Sequence, residues 1–167
     1  MNRDVQYIKD RLLEIRNSAE EIRTLQDLID RYQDRLEALG AVNITDMPRN
    51  PSPDHDKITV ALAEKMKLEE ELEQVLGERK SGLEQVRRIL KKMRDPKERA
   101  VIRYAYLYWS PEDRWEDISF QIFHERRDYT DRLDTYLRRT YAIHQKALEH
   151  MVDIANREQR SRMDKHG

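Results

Sequence analysis

RAVIRYAYLYWSPEDRWEDISFQIFHERRDYTDRLDTYLRRTYAIHQKAL, from Arg99 to Leu148, reads as three helices with sharp starts. Asp95-Pro96-Lys97-Glu98 stands just before it and has the form of a helix start. An Asp at the N-cap accepts from exposed N–H groups, a Pro suits the first helical position, and a Glu at the third completes a capping box. Val101, Tyr104, Ala105 and Tyr108 then fall on one face, flanked by Ile102 and Trp109. Ser110-Pro111-Glu112-Asp113 repeats the start signal, and Trp115, Ile118, Ile122 and Phe123 face inward on a second helix. HERRDY interrupts the pattern, and Asp128 or Thr130 is placed to cap a third helix. The apolar line of that helix runs Leu133, Leu137, Tyr141 or Ala142, His144 or Ala147, Leu148, Met151 and Ile154. Three short capped helices with an inward Trp-Ile pair give a helix-turn-helix outline, the third being the recognition helix.

Working back toward the start, apolar residues step by three and four: Val5, Ile8, Leu12, Ile15, Ala19, Ile22, then Leu25, Ile29, Tyr32, Leu36 and Leu39. That is the narrow seam of a coiled coil. Gly40 is placed for a C-cap, and Pro48, Pro51 and Pro53 bar a continuous helix through AVNITDMPRNPSPDHD. A second seam begins near Asp54 or Asp56 and runs through Ile58, Ala61, Lys65, Leu68, Leu72, Val75, Arg79, Gly82, Val86, Ile89 and Met93. Lys65, Arg79 and Gly82 are poor seam residues and predict a locally weak coil or charges at its rim. A second line beside the seam, Leu62, Met66, Leu76, Leu83 and Leu90, makes the face too wide for one partner helix. Either the C-terminal domain or a second copy of the chain would cover it.

The fold expected is all-α: a long N-terminal helical hairpin, an antiparallel coiled coil, followed by a three-helix helix-turn-helix domain. The boundaries expected are 1–94 for the hairpin with a Pro-rich linker at about 40–55, 95–155 for the helix-turn-helix domain and 156–167 for a charged tail. Composition agrees with long helices, since 167 residues hold only 4 Gly and 5 Pro while 39% are charged. Mean hydropathy is −1.00, too low for one large apolar core. No Cys is present, which excludes disulfides, thiolate metal sites and a cysteine nucleophile. No apolar run approaches the roughly 20 residues that span a bilayer. The opening MNRDVQYIKDRLLEI looks like a helix, not a signal peptide. A soluble cytoplasmic protein is expected.

The net charge is −1, so any contact with nucleic acid needs a local patch. One lies on the third helix and the turn before it. Arg126, Arg127, Arg132, Thr135, Tyr136, Arg138 and Arg139 are the candidate DNA contacts. From Arg126 to Lys146 six Lys or Arg face three Asp, at positions 128, 131 and 134. The planar fork of Arg matches phosphate oxygens and the guanine edge, and Thr and Tyr add phosphate contacts. The same acids would repel phosphate, and an Arg-rich helix face is often only solvated surface.

Chemistry of other kinds has no support in the sequence. There is no phosphate-cradling glycine loop, no G-x-S-x-G and no H-E-x-x-H. Asp54-His55-Asp56 reads as a helix start rather than a metal site. His144 and His150 are six residues apart and do not share a helix face. The reading is a non-enzyme without cofactor or metal.

Ile102-Arg103-Tyr104 closing an apolar helix, Trp115-Glu116-Asp117-Ile118 opening the next, and His144-Gln145-Lys146-Ala147-Leu148 toward the end form a recognisable series. In this series, and in the helical pair before it with a proline break and the Asp56-Lys57-Ile58 start, the chain resembles the ArpU/RinA-like late-transcription regulators of phages and integrative elements of Gram-positive bacteria. Their C-terminal part is similar to region four of bacterial sigma factors. The resemblance covers residues 97–148 best. It implies a phage or mobile-element transcriptional regulator that binds double-stranded DNA, with bacterial RNA polymerase as a further partner. A homodimer formed through the hairpin would set the spacing of two half-sites. The chain departs from the pattern at FHERRDY, which is longer than the tight turn of sigma-like domains and would re-aim the recognition helix. Two other readings stand beside this one. One is a small terminase-like packaging protein; the other is a protein-binding coiled-coil module or inhibitor that does not touch DNA.

Overall fold

The seams at three-and-four spacing do form two long helices. The computed structural model describes residues 2–43 and 53–167. Helix α1 spans Arg3–Asn43 and α2 spans Pro53–Lys92. Pro48 and Pro51, with most of the expected linker, lie outside the described residues. Gly40 is within α1 rather than at its C-cap, and Pro53 opens α2, where its missing N–H costs nothing. After α2 come α3 (Pro96–Ile102), which continues as a π turn over Arg103–Leu107, α4 (Trp115–Phe123) and α5 (Leu133–Lys165). Among the described residues there is no strand.

Contacts gather the chain into two units that do not divide at residue 94. One is Asn17–Lys80, the outer length of both long helices. Leu25, Ile29 and Ala61 are buried in it. The two charged seam residues bridge the helices rather than weaken the pairing. Lys65 Nζ donates to Gln33 Oε1 at 2.7 Å and meets Glu69 at 3.3 Å; Arg79 donates to Ser18 Oγ at 2.9 Å. Their long stems pack along the seam while the charged heads reach polar partners. Leu62, Met66 and Leu76, the outer part of the second apolar line, stay exposed in this unit.

The other unit joins Met1–Arg16 to Ser81–Gly167. Its core holds Val5, Leu12 and Ile15 from α1, Val86, Ile89, Leu90 and Met93 from α2, and residues of α3, α4 and α5 including Ile102, Ile118 and Leu148. Leu83 and Leu90 thus find the cover that a wide apolar face requires, supplied by the C-terminal helices of the same chain. Gly82 serves close approach here. A Cβ at this position would stand 3.1 Å from Ile15 Cγ1 and 3.2 Å from Cδ1. Gly82→Leu is therefore expected to lower stability by about 1–3 kcal/mol through overpacking, read by chemical denaturation. A variant as stable as the parent would mean that the helices do not meet here.

Three expected helix starts were only partly met. Asp95 caps α3, its carboxylate accepting the Lys97 N–H at 2.9 Å, with Pro96 in the first position. Glu98 does not complete a capping box; it is buried and accepts from His150 Nδ1 at 2.7 Å on α5. Ser110–Asp113 forms a turn, closed by the Ser110 N–H donating to Asp113 Oδ2 at 2.6 Å, and α4 starts later, with Asp117 accepting from the Arg114 N–H at 2.8 Å. Neither Asp128 nor Thr130 caps α5, which begins at Leu133.

The π turn explains the largest change of face. The Tyr108 N–H donates to the Arg103 carbonyl at 2.8 Å, five residues back rather than four. The extra residue in this turn rotates everything after it. Tyr106 is buried and Tyr108 is 67% exposed, the reverse of the even helical reading. Leu133, expected inward, is also exposed, and the inward line of α5 is Tyr136, Thr140, His144, Ala147, Leu148, Met151 and Val152. The helix runs on through 156–165, where a tail was expected.

Candidate nucleic-acid interface

Helices α3, α4 and α5 pack on one another, and residues 124–132 link α4 to α5 by a run of turns. This link decides where the expected contact residues stand. Tyr136 is not on the surface: it is 4% exposed, with its ring 4.9 Å from Phe123 and 5.7 Å from Tyr129. Its hydroxyl donates to Asp128 Oδ1 at 2.5 Å. That bond holds the Asp128 carboxyl below the usual range and raises the Tyr136 hydroxyl above its own. Tyr136 therefore pins the link to α5, and its place among the contact residues is withdrawn. The physical reason is that the link folds back over the first turn of α5 and covers a position that would be exposed after a tight turn.

The remaining six candidates, Arg126, Arg127, Arg132, Thr135, Arg138 and Arg139, are all exposed. Arg132 is the residue before α5, and its Nε lies 3.7 Å from Asp128 Oδ2. Asp128 is thus engaged by both Tyr136 and Arg132, which blunts one of the three local acids. Arg139 lies over the Tyr136 ring at 5.2 Å, a cation–π contact that fixes its direction. Among the described residues no ion pair holds Arg126, Arg127 or Arg138.

Two of the candidates come together with residues that sequence reasoning missed. Arg126 and Arg139 line one open groove of about 300 Å³ with Lys97 and Lys146, floored by Phe123, Ala142 and Ile143. Lys97 Nζ stands 5.2 Å from the Phe123 ring centre. Lys146 was legible in principle, since seven residues bring the chain back to the face of Arg139. Lys97 arrives from α3 and has no local signal. The groove carries four cations and no acid, in a chain whose net charge is −1.

Behind this face the helices are fixed by an aromatic cluster. Trp115 lies 5.1 Å from Tyr141 and 4.8 Å from His144, and Tyr106 Oη and His144 Nε2 share a 2.7 Å hydrogen bond. Burial lowers the His144 pKa from 6.5 to about 4 and raises that of Tyr106 to about 12, so both rings are neutral near pH 7. Among the described residues, no three His, Cys, Asp or Glu side chains are grouped to hold a metal ion, and no helix is long and apolar enough to cross a membrane. Comparison with family models, with curated proteins and with solved structures finds no match to this chain.

Proposed function

We propose that this chain is a DNA-binding transcriptional regulator of the phage and mobile-element kind its sequence resembles. The observation that carries the reading is the acid-free groove in which Arg126, Arg139, Lys97 and Lys146 converge beside the exposed Arg127 and Arg138. Convergent cations from two helices and a link are what a phosphate backbone requires, and they are more than a scattered solvated face supplies. Helix α5 takes the role of the recognition helix, with Arg138 and Arg139 meeting phosphates along its exposed face beside Arg132 and Thr135, and Arg126 and Arg127 gripping phosphates from the link. The long link between α4 and α5 makes this a helix-turn-helix variant, with α5 aimed differently from a tight-turn reader.

Self-association completes the reading. Leu62, Met66 and Leu76 form an exposed apolar line on α2, and a second copy laid on that line gives a dimer with two reading heads. Dimeric readers place their heads about one duplex turn apart, near 34–36 Å, or a multiple of it.

The test is fluorescence anisotropy on random-sequence duplex DNA over a series of salt concentrations, with light scattering on the same sample. The Arg138→Ala/Arg139→Ala variant is expected to bind roughly tenfold more weakly and to lose about 2 from the slope of log K against log salt, since each phosphate contact contributes about 0.9. An unchanged affinity and slope would sink the assignment of this face.

A further inference from the structure

The far half of α5 carries a second cationic groove that no part of this reading uses. The C-terminal turn of α2 and the residues after it bring Arg88, Lys91, Lys92 and Arg94 to one wall. The last turns of α5 bring Arg157, Arg162 and Lys165 to the other. The groove between them is about 680 Å³, larger than the first, and its one acid, Glu158, is paired with Lys92 at 2.8 Å. Seven cations stand against one carboxylate.

Cations at helix C-termini complement the helix dipole, and that is the plain explanation to be weighed. Each helix end carries about half a negative charge, so the two ends account for roughly one cation. Glu158 answers one more, Lys92, and the other five exceed what the dipoles require. Like charges held together on one concave surface repel one another and lower stability. In a chain of net charge −1 their segregation calls for an anionic ligand.

The geometry says which anion. Eighteen residues make five turns at about 3.6 residues each, so Arg157 stands on the same side of α5 as Arg139, while Lys165 and Arg162 are turned about 80° and about 140° round the helix from it. The rise of about 1.5 Å per residue puts them about 27 Å apart, and Lys165 about 39 Å from Arg139. The two cationic grooves thus bracket one turn of duplex DNA, about 34–36 Å. Between them lies a stretch lined by Lys92, Arg94, His150 and Arg157 together with Asp95, Glu98 and Asp153. Three cations there meet three acids, which leaves the middle near neutral. A small anion would need only one groove. A membrane surface would need a cluster of exposed aromatic or aliphatic side chains to insert, and here the groove offers the half-buried Ile154, with the exposed Met163 single on the turn beside it. A stiff polyanion with a repeat of one duplex turn fits both ends.

We propose that the groove of Arg88, Lys91, Arg94, Arg157, Arg162 and Lys165 is a second binding site for the phosphate backbone of duplex DNA, about one duplex turn along α5 from the Arg126–Arg139 groove. The proposal rests on the reading of the first groove as a DNA contact and extends it. It makes the chain grip the backbone at both ends of a single helix, so that each reading head is held in register by α5 itself.

The experiment uses the full chain, a random 20-bp duplex and anisotropy across a salt series. Three variants are compared with the parent: Arg157→Ala/Arg162→Ala/Lys165→Ala, the charge-keeping Arg157→Lys/Arg162→Lys/Lys165→Arg, and Arg138→Ala/Arg139→Ala. All sites changed are exposed, and circular dichroism checks that each variant folds. The alanine triple is expected to bind at least tenfold more weakly, with the salt slope reduced by about 2–3, while the charge-keeping triple binds as the parent does. If the alanine triple binds like the parent while Arg138→Ala/Arg139→Ala does not, the second site falls and the first stands. If only the alanine triple is impaired, the second site stands and the first falls. Failure of the parent to bind the duplex at low salt overturns both, and so does binding to phosphatidylserine vesicles in place of DNA.

Discussion

Leu148→Ala is expected to lower stability by about 3–5 kcal/mol and the melting temperature by roughly 10 °C. Leu148 is 1% exposed and belongs to the same buried cluster as Ile102, Ala105, Ile118, Leu12 and Ile89. Truncation removes the transfer free energy of three carbons and leaves a cavity. The cluster around it draws on all five helices, so the cavity closes only if several elements shift together. A loss of this size is a large part of the roughly 5–15 kcal/mol that holds a domain folded. Met163→Ala is the control: Met163 is 72% exposed near the end of α5, and its truncation is expected to change stability by no more than about 0.5 kcal/mol. Thermal and urea unfolding followed by circular dichroism read both. A Leu148→Ala variant within about 1 kcal/mol of the parent would mean that α5 does not seat in this core. The consequence reaches the proposed interface, because both cationic grooves are built on α5 and neither keeps its shape if that helix is loosened.

The parts of the fold legible in the sequence are those where one helix face meets one neighbour. The three-and-four steps of Val5, Leu12 and Ile15, and of Val86, Ile89 and Met93, name the buried residues of α1 and α2 without tertiary information. The width of the second α2 line announced a third contact, and Leu83 and Leu90 have it. What was not legible depends on contacts between distant parts of the chain. RYAYLYW keeps an even helical period on paper. The extra residue of the π turn makes sense only once Tyr106 is seen bonded to His144, thirty-eight residues away. Lys65 and Arg79 looked like faults in the seam because Gln33 and Ser18 lie on the other helix.

The candidate interface divides in the same way. Arg126 and Arg139 were visible as a local excess of charge, whereas Lys97 reaches the same groove from α3. Tyr136 carried the composition of a contact residue, yet Asp128 and Tyr129 of the link cover it. The second groove had no signal at all. Its two walls lie more than sixty residues apart in sequence, and residues 156–165, with no apolar line, read as a tail until α5 was seen to run through them.

Stability is also expected to fall as the pH drops from 6.5 toward 4, and His144 is the cause. In the unfolded chain its ring takes a proton near 6.5. In the folded chain burial, with a smaller contribution from the Lys9 ammonium, lowers that pKa to about 4. Between these values the unfolded state binds a proton that the folded state refuses, so stability rises with pH across the window and is lost on acidification. A shift of this size corresponds to about 3 kcal/mol, complete below pH 4. Tyr106, shifted up to about 12, stays neutral throughout and can only share a hydrogen with the imidazole, not offset its charge. Asp128, whose pKa is lowered mainly by the Tyr136 hydroxyl, acts in a separate and more acid window, below the ordinary carboxylate value. The double variant Tyr106→Phe/His144→Phe removes both polar partners together, which leaves no buried hydroxyl or imidazole unpaired. Urea unfolding at a series of pH values should show the parent losing stability between pH 6.5 and 4 and the double variant nearly flat there. Equal slopes in the two proteins would mean that His144 is protonated in the folded state and that its ring faces water. The outcome bears on the interface as well, since Trp115, Tyr141 and His144 form the cluster that fixes α4 against α5. If DNA retention declines in step with this loss of stability, packing behind the helix limits binding at low pH.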